Sequence, residues 1–299
     1  MIFFTAQDFN LDLPDGHRFP GHKYRLLEEK LVRDGTLAPD QLRESPVASD
    51  GVILSVHTEK YLRSLEDGTI ERAAMRRIGF PWSEQIPRRG RRTVGGQLAA
   101  ARQALRVGLS GQLAGGTHHA HPDFGSGYCI FNDQAVAATV LLSEGAVDRI
   151  AIVDLDVHQG DGNAAVLADN PNVLILDVFG EKNFPFRKVP SDIDVPLPDN
   201  SEDGLFLRAI DERLQDIWAF KPDLVLYQAG VDPLKEDKLG RLDISFEGLR
   251  ARDEMVLEGC RRRGIPCSMA IGGGYSMPIE HTVTAYAGTY EVAKDVYGW

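Results

Sequence analysis

Several residues of this chain have the types and spacing that metal-assisted hydrolysis would need. After the aliphatic run from Ile150 to Val153 come Asp154, Asp156, His158 and Asp161. Side chains two apart in a strand share one side, so Asp154, Asp156 and His158 are expected together at the carboxyl end of a strand. Carboxylate oxygen and imidazole nitrogen are donors for a divalent ion. Asp232, after the apolar run at 224–227, supplies a third donor. Three protein donors leave room for water and a substrate oxygen, as in catalytic sites. Such a set suits Zn²⁺, Fe²⁺, Mn²⁺ or Co²⁺ without choosing among them. His118 and His119 follow Gly115, Gly116 and Thr117; paired imidazoles near an activated water can act as base and acid. Asp154 and Asp161 can each orient one of them. Tyr275, after three glycines, can donate a hydrogen bond to a developing oxyanion.

The elements that must position these groups alternate. Strands are expected at 1–5 (an edge or first strand), 113–114, 150–154, 173–177, 224–227 and 267–271. Helices are expected at 23–33, 58–65 with Thr58 as cap, 94–107, from Asn132 or Asp133 to 142, from about 161, at 203–220, 246–263 and 278–296. The helix at 203–220 has Leu205, Ile210, Leu214 and Trp218 on or near one face. Residues 52–57 read as a short strand or turn, 14–20 as turn-rich, 80–83 as a loop, and 181–198, with four prolines, as a long irregular connection. Strand–helix alternation from residue 94 onward is the pattern of a parallel sheet covered on both faces. All four chemically unusual strand ends then share one edge, where open α/β sheets place their ligands. With no repeat or linker visible, the whole of 1–299 reads as one domain.

Composition narrows the class. The chain has 299 residues and a formal net charge of −11, which disfavours tight non-specific nucleic-acid binding. The basic cluster Arg88, Arg89, Arg91, Arg92 reads as a solvated loop leading into a helix. Three cysteines without a CxxC pair argue for a reducing compartment; Cys129 reads as a small buried hydrophobe. No signal peptide and no membrane-length apolar run is visible, so a cytoplasmic location is the expectation. His57 reads as a packed, hydrogen-bonded histidine and His121 as a loop residue.

Five motifs resemble the zinc-dependent histone deacetylase family, in that family's order. They are Gly115 to Ala120, Gly125 to Asp133, Val153 to Gly162, Ala229 to Asp232, and Gly272 to Tyr275. His158-Gln159-Gly160-Asp161-Gly162, Leu176-Asp177-Val178 and His17-Arg18-Phe19-Pro20 are most similar to its class IV branch and bacterial relatives. The resemblance implies the arginase–deacetylase fold, a three-layer α/β/α sandwich with a mainly parallel sheet of about eight strands. It implies Asp156, His158 and Asp232 as metal ligands. It implies His119 as general base, His118 as its partner in protonating the leaving amine, and Asp154 and Asp161 as their respective carboxylates. Tyr275 would polarise the amide carbonyl. Gly127, Tyr128, Phe184 and Gly273 would line an acyl-lysine tunnel with Leu239 near its rim. A structural K⁺ would lie by the backbone of Asp154 and Asp156, where this chain has Asp177 in place of the serine of many relatives. Arg18 or Lys23 would border an acetate exit.

Other readings give different expectations. An acetylpolyamine or a small N-acyl metabolite offers the same amide as acyl-lysine. An arginase-like ureohydrolase would carry two metals and richer aspartate ligation. Gly160, Gly162 and Ala165 fit G-x-G-x-x-A after a strand, as in a dinucleotide-binding unit, but Asp154, Asp156 and Asp161 would crowd a pyrophosphate with negative charge. A metal-binding partner module without turnover would leave the acid, base and oxyanion groups without a task.

Overall fold

Eight short strands carry the architecture of the computed structural model, which describes residues 1–5, 11–14 and 16–299. Asp15, in the turn-rich stretch expected at 14–20, lies outside the described residues. The strands are β1 Phe3–Thr5, β2 Leu42–Glu44, β3 Leu109–Gln112, β4 Ile150–Asp154, β5 Val173–Gly180, β6 Ile193–Leu197, β7 Leu224–Gln228 and β8 Cys267–Ala270. They pair in the order β2-β1-β3-β8-β7-β4-β5-β6, and every pairing is parallel. All residues of β4 and β7 are buried, which requires cover on both faces of the sheet. Ten α-helices among the described residues provide it: α1 Lys23–Arg33, α2 Asp50–Ile53, α3 Glu59–Glu66, α4 Arg72–Ile78, α5 Gln85–Val107, α6 Asp133–Ser143, α7 Asp161–Leu167, α8 Asp203–Phe220, α9 Phe246–Arg263 and α10 Ile279–Tyr297. The result is the expected three-layer α/β/α sandwich. The strands that end in candidate site residues, β3, β8, β7 and β4, are the four contiguous central ones.

Local chemistry explains most boundaries. Thr58 caps α3 by accepting from the Tyr61 N–H, and Ser245 caps α9 by accepting from the Gly248 N–H. Gly264 closes α9 in the left-handed region at φ 67°. No described helix is long and apolar enough to cross a membrane.

Several expectations are corrected. The helix expected at 94–107 begins at Gln85, so the basic cluster is helical and not a loop. Arg89 is buried, its guanidinium 4.9 Å from the Phe19 ring and 5.0 Å from the Tyr24 ring, while Arg91 pairs with Asp50 and Glu66. Pro87 sits in the first turn, where a missing N–H costs nothing. Of the two readings of residues 1–5, first strand holds and edge does not, because β1 lies between β2 and β3. Of the short strand or turn expected at 52–57, residues 52–53 end α2, Asp50–Ile53, which Ser49 caps, and residues 54–56 form a turn. The strand expected at 113–114 lies one step earlier, at β3, although the Leu113 N–H still bonds the Phe4 carbonyl at 2.8 Å. The connection at 181–198 contains β6, whose Pro196 is tolerated because the strand is at the sheet edge. α8 buries Phe206, Ile210, Leu214 and Ile217; Leu205 is 39% exposed.

Candidate active site

Asp156, His158 and Asp232 converge at the carboxyl end of the central strands, with donor atoms all within 4.8 Å of one another. His158 Nδ1 lies 3.1 Å from Asp156 Oδ1 and 3.0 Å from Asp232 Oδ2. Backbone donors orient both acids: the Gly273 N–H bonds Asp156 Oδ2 at 2.7 Å and the Val157 N–H bonds Asp232 Oδ1 at 2.9 Å. All three side chains are buried. Burial, and then the negative charge of Asp156, pushes the Asp232 carboxyl up to about 7. Two buried carboxylates and one imidazole, with one donor atom of each within 4.8 Å of the others, are the donor chemistry of a divalent cation. The residues therefore fit a metal.

The two adjacent histidines stand beside this cluster. His118 Nδ1 lies 2.8 Å from Asp154 Oδ2, and His119 Nδ1 lies 2.7 Å from Asp161 Oδ1. Their Nε2 atoms face each other at 3.1 Å, and His118 Nε2 is 3.9 Å from Asp156 Oδ1. Burial opposes a charge on His118, but the facing Asp154 and then Asp156 outweigh it and raise that imidazole to about 10. Burial, followed by the charge of His118, pulls His119 down to about 4. The pair is thus electrostatically asymmetric, the protein favouring the charged form of His118 and the neutral form of His119.

The loop that carries the histidines is fixed by Asp133. Its carboxylate accepts from the backbone N–H groups of Gly116 and Thr117, both at 2.8 Å. Asn132, not Asp133, caps α6, by accepting from the Ala135 N–H.

A cavity of about 800 Å³ opens onto these groups, and Gly127, Tyr128, Phe184, Leu239, Gly273 and Tyr275 all line it. The Phe184 ring meets His119 edge-on, with centroids 4.9 Å apart. Tyr128 holds φ 66°, a costly conformation for a side-chain-bearing residue. Its ring packs 5.1 Å from Phe19, 5.4 Å from Phe80 and 5.9 Å from Tyr275. Burial, then Asp232 and Asp156, pushes the Tyr275 phenol well above its usual value, so its proton is retained.

The chain matches the histone deacetylase domain over residues 17–290. It belongs to the histone deacetylase family. An uncharacterized protein of Picosynechococcus sp. is 41% identical over 291 residues, 97% of each chain. Histone deacetylase 2 of Arabidopsis thaliana is 33% identical over 292 residues, covering 92% of this chain and 74% of that one. An acetylpolyamine aminohydrolase from Burkholderia pseudomallei superimposes with a TM-score of 0.83 over 99% of each chain, at 20% identity, a likeness of fold. As a histone deacetylase family member the chain is a hydrolase acting on amide bonds. A metal is expected in this family, and the Asp156–His158–Asp232 cluster is where its donors lie.

Of the candidate site residues, Asp154, Asp161 and Asp232 bond to histidines that line this cavity and the others line it themselves, as do Arg18 and Lys23; the contacts of His121, Asp237 and Lys23 go beyond the sequence reading. His121 reads as a loop residue, yet its Nε2 lies 3.0 Å from Asp161 Oδ2, so Asp161 serves two histidines. His57 is packed as expected, with Nδ1 on the His121 carbonyl at 3.0 Å and Nε2 accepting from the Asn132 N–H at 2.9 Å. Asp237 accepts from the Tyr275 N–H at 2.6 Å and from the Leu239 and Gly240 N–H groups at 2.8 and 2.9 Å. Lys23 is buried and donates to the Gly274 carbonyl at 3.0 Å and to the Tyr286 hydroxyl at 3.1 Å, 4.7 Å from the Tyr275 ring centroid. Only the isolated Asp237-x-Leu239-Gly240 turn pattern hints at Asp237; Lys23, expected beside an acetate exit, lines the cavity with its ammonium on Gly274 and Tyr286.

Proposed function

We propose that this chain is a zinc-dependent deacylase of acyl-lysine, with the 299 residues acting as one catalytic unit. Asp156, His158 and Asp232 hold the metal. When bound, the ion polarises the amide carbonyl and makes water acidic at neutral pH. His119 takes the proton of the attacking water at Nε2, with Asp161 fixing its Nδ1. His118, held by Asp154, completes the proton path to the leaving amine. Tyr275 donates its phenolic proton in a hydrogen bond to the developing oxyanion. Gly127, Tyr128, Phe184 and Gly273 enclose the acyl-lysine stem, and Leu239 meets it at the rim. The observation that carries this reading is the pair of imidazoles, each with its own carboxylate, next to a three-donor cluster. A partner-binding module has no use for that apparatus, and a dinucleotide site would not place three acids there. Potassium belongs to the same proposal: Asp177 Oδ1 is buried without a hydrogen-bond partner among the described residues, a position for a cation beside Asp154.

Chelation tests the metal. Dialysis against a strong chelator should abolish hydrolysis of an acetyl-lysine peptide, and one zinc per chain should restore it. Restoration needing two metals would favour the ureohydrolase reading; undiminished activity in the chelated protein would refute both. Tyr275→Phe should lower kcat by about two to three orders of magnitude, the range for losing one oxyanion donor, with KM little changed.

A further inference from the structure

The mouth of the cavity has a charge opposite to that of the chain. The sequence carries 44 acids against 33 Lys and Arg. Among the described residues lining the cavity, the single carboxylate is Asp156 at its floor. The exposed charged side chains of the lining are Arg18, Arg76, Arg77, Lys182, Lys238 and Arg241. They come from four separate segments: before α1, the end of α4, after β5 and after β7.

Part of this charge has a local explanation. Arg76 and Arg77 lie in the last turn of α4, where cations suit the helix dipole, and Arg77 also stacks 4.5 Å from the Phe124 ring. Lys182 and Arg241 share Asp199 at 3.7 and 3.0 Å. Helix stability does not account for Arg18 and Lys238. No carboxylate within ion-pair distance of Arg18, Arg76 or Lys238 occurs among the described residues. A concave opening edged by one sign of charge concentrates ligands of the other sign. Phe186, also on the lining, is 87% exposed; a large exposed aromatic beside such charges suits contact with a polypeptide.

We infer that the substrate is an acyl-lysine flanked by acidic residues in a polypeptide, whose carboxylates meet the cations at the cavity mouth. This rests on the deacylase reading and narrows its substrate class. Acetylated polyamines, whose remaining amines are cationic, are repelled by the same residues.

The test uses three fluorescently tagged peptides of equal length with a central acetyl-lysine and acidic, neutral or basic flanks. Anisotropy titrations are run on the zinc-loaded and the metal-free protein at about 20 mM and about 300 mM salt, on either side of the screening range. The acidic peptide should bind about tenfold tighter than the basic one at low salt, and the gap should shrink at high salt. Arg76→Glu with Lys238→Glu should reverse the order. Equal binding, or tighter binding of the basic peptide, by the unmodified protein overturns the inference whether or not the variant folds. Turnover of the neutral peptide is measured separately. Cleavage without a charge ranking sinks this inference and leaves the deacylase reading intact. A charge ranking in binding with no cleavage of any peptide sinks the deacylase reading and leaves the mouth as a site for acidic polypeptides.

Discussion

Replacing His119 with alanine should lower kcat by about two to four orders of magnitude, the span attributed to a positioned general base, while zinc content per chain stays at one. His119 is buried at the cavity floor, with Nδ1 on Asp161 and Nε2 3.1 Å from His118 Nε2. It makes no hydrogen bond to Asp156, His158 or Asp232 among the described residues, so its loss leaves the donor cluster standing. His118 cannot take over in place: its Nδ1 is committed to Asp154, and the charge of that carboxylate keeps it protonated. Steady-state kinetics with elemental analysis of the same sample separates the two quantities. A variant with near-normal kcat would remove His119 from the mechanism; a variant that has lost its zinc would mean that the histidine pair supports the metal and not the water.

Gly273→Ala should weaken metal affinity by about 10- to 100-fold, the range for disturbing the shell around metal ligands, and abolish activity at limiting zinc. Gly273 does not occupy the left-handed region, so its backbone accepts alanine. The obstacle is steric: the new methyl would overlap Asp232 Oδ2 and reach within 3.0 Å of Asp156 Oδ2. Both oxygens belong to the donor cluster, and the Gly273 N–H itself orients Asp156. Gly51→Ala is the control, because its methyl would meet nothing within 4 Å. Competitive chelator titration reads the affinity, and thermal melting shows whether the fold persists. Unchanged zinc affinity in Gly273→Ala would show that the cluster is not the metal's seat.

The sheet was legible because buried parallel strands are continuous apolar runs, and their carboxyl ends are where Asp154, Asp156, His158, Asp232 and Tyr275 stand out against them. What escaped sequence reading is long-range or mixed in character. Arg88 to Arg92 looks solvated by composition, yet Arg89 is drawn inside by aromatic faces contributed from residues 19 and 24. β2 and β6 are short edge strands with half-exposed side chains, so neither shows an apolar run. The second partner of Asp161 is His121, and nothing in His118-His119-Ala120-His121 says which imidazoles share that carboxylate. Asp237 is invisible for the same reason: a carboxylate in a loop is ordinary until folding brings the Tyr275 N–H 2.6 Å from it.

That carboxylate joins two tasks. One oxygen of Asp237 gathers the Leu239 and Gly240 amides of the outer lip, and the other seats the backbone of Tyr275 at the floor. The lip is tied across the opening as well, since the Leu239 carbonyl accepts from Asn183, next to Phe184. A ligand pressing on the lip would therefore act on the backbone that seats the phenol. On the proposed mechanism, binding energy collected at the lip would reach the phenol through this carboxylate, and a substrate clipped down to its acyl amine should lose rate as well as affinity.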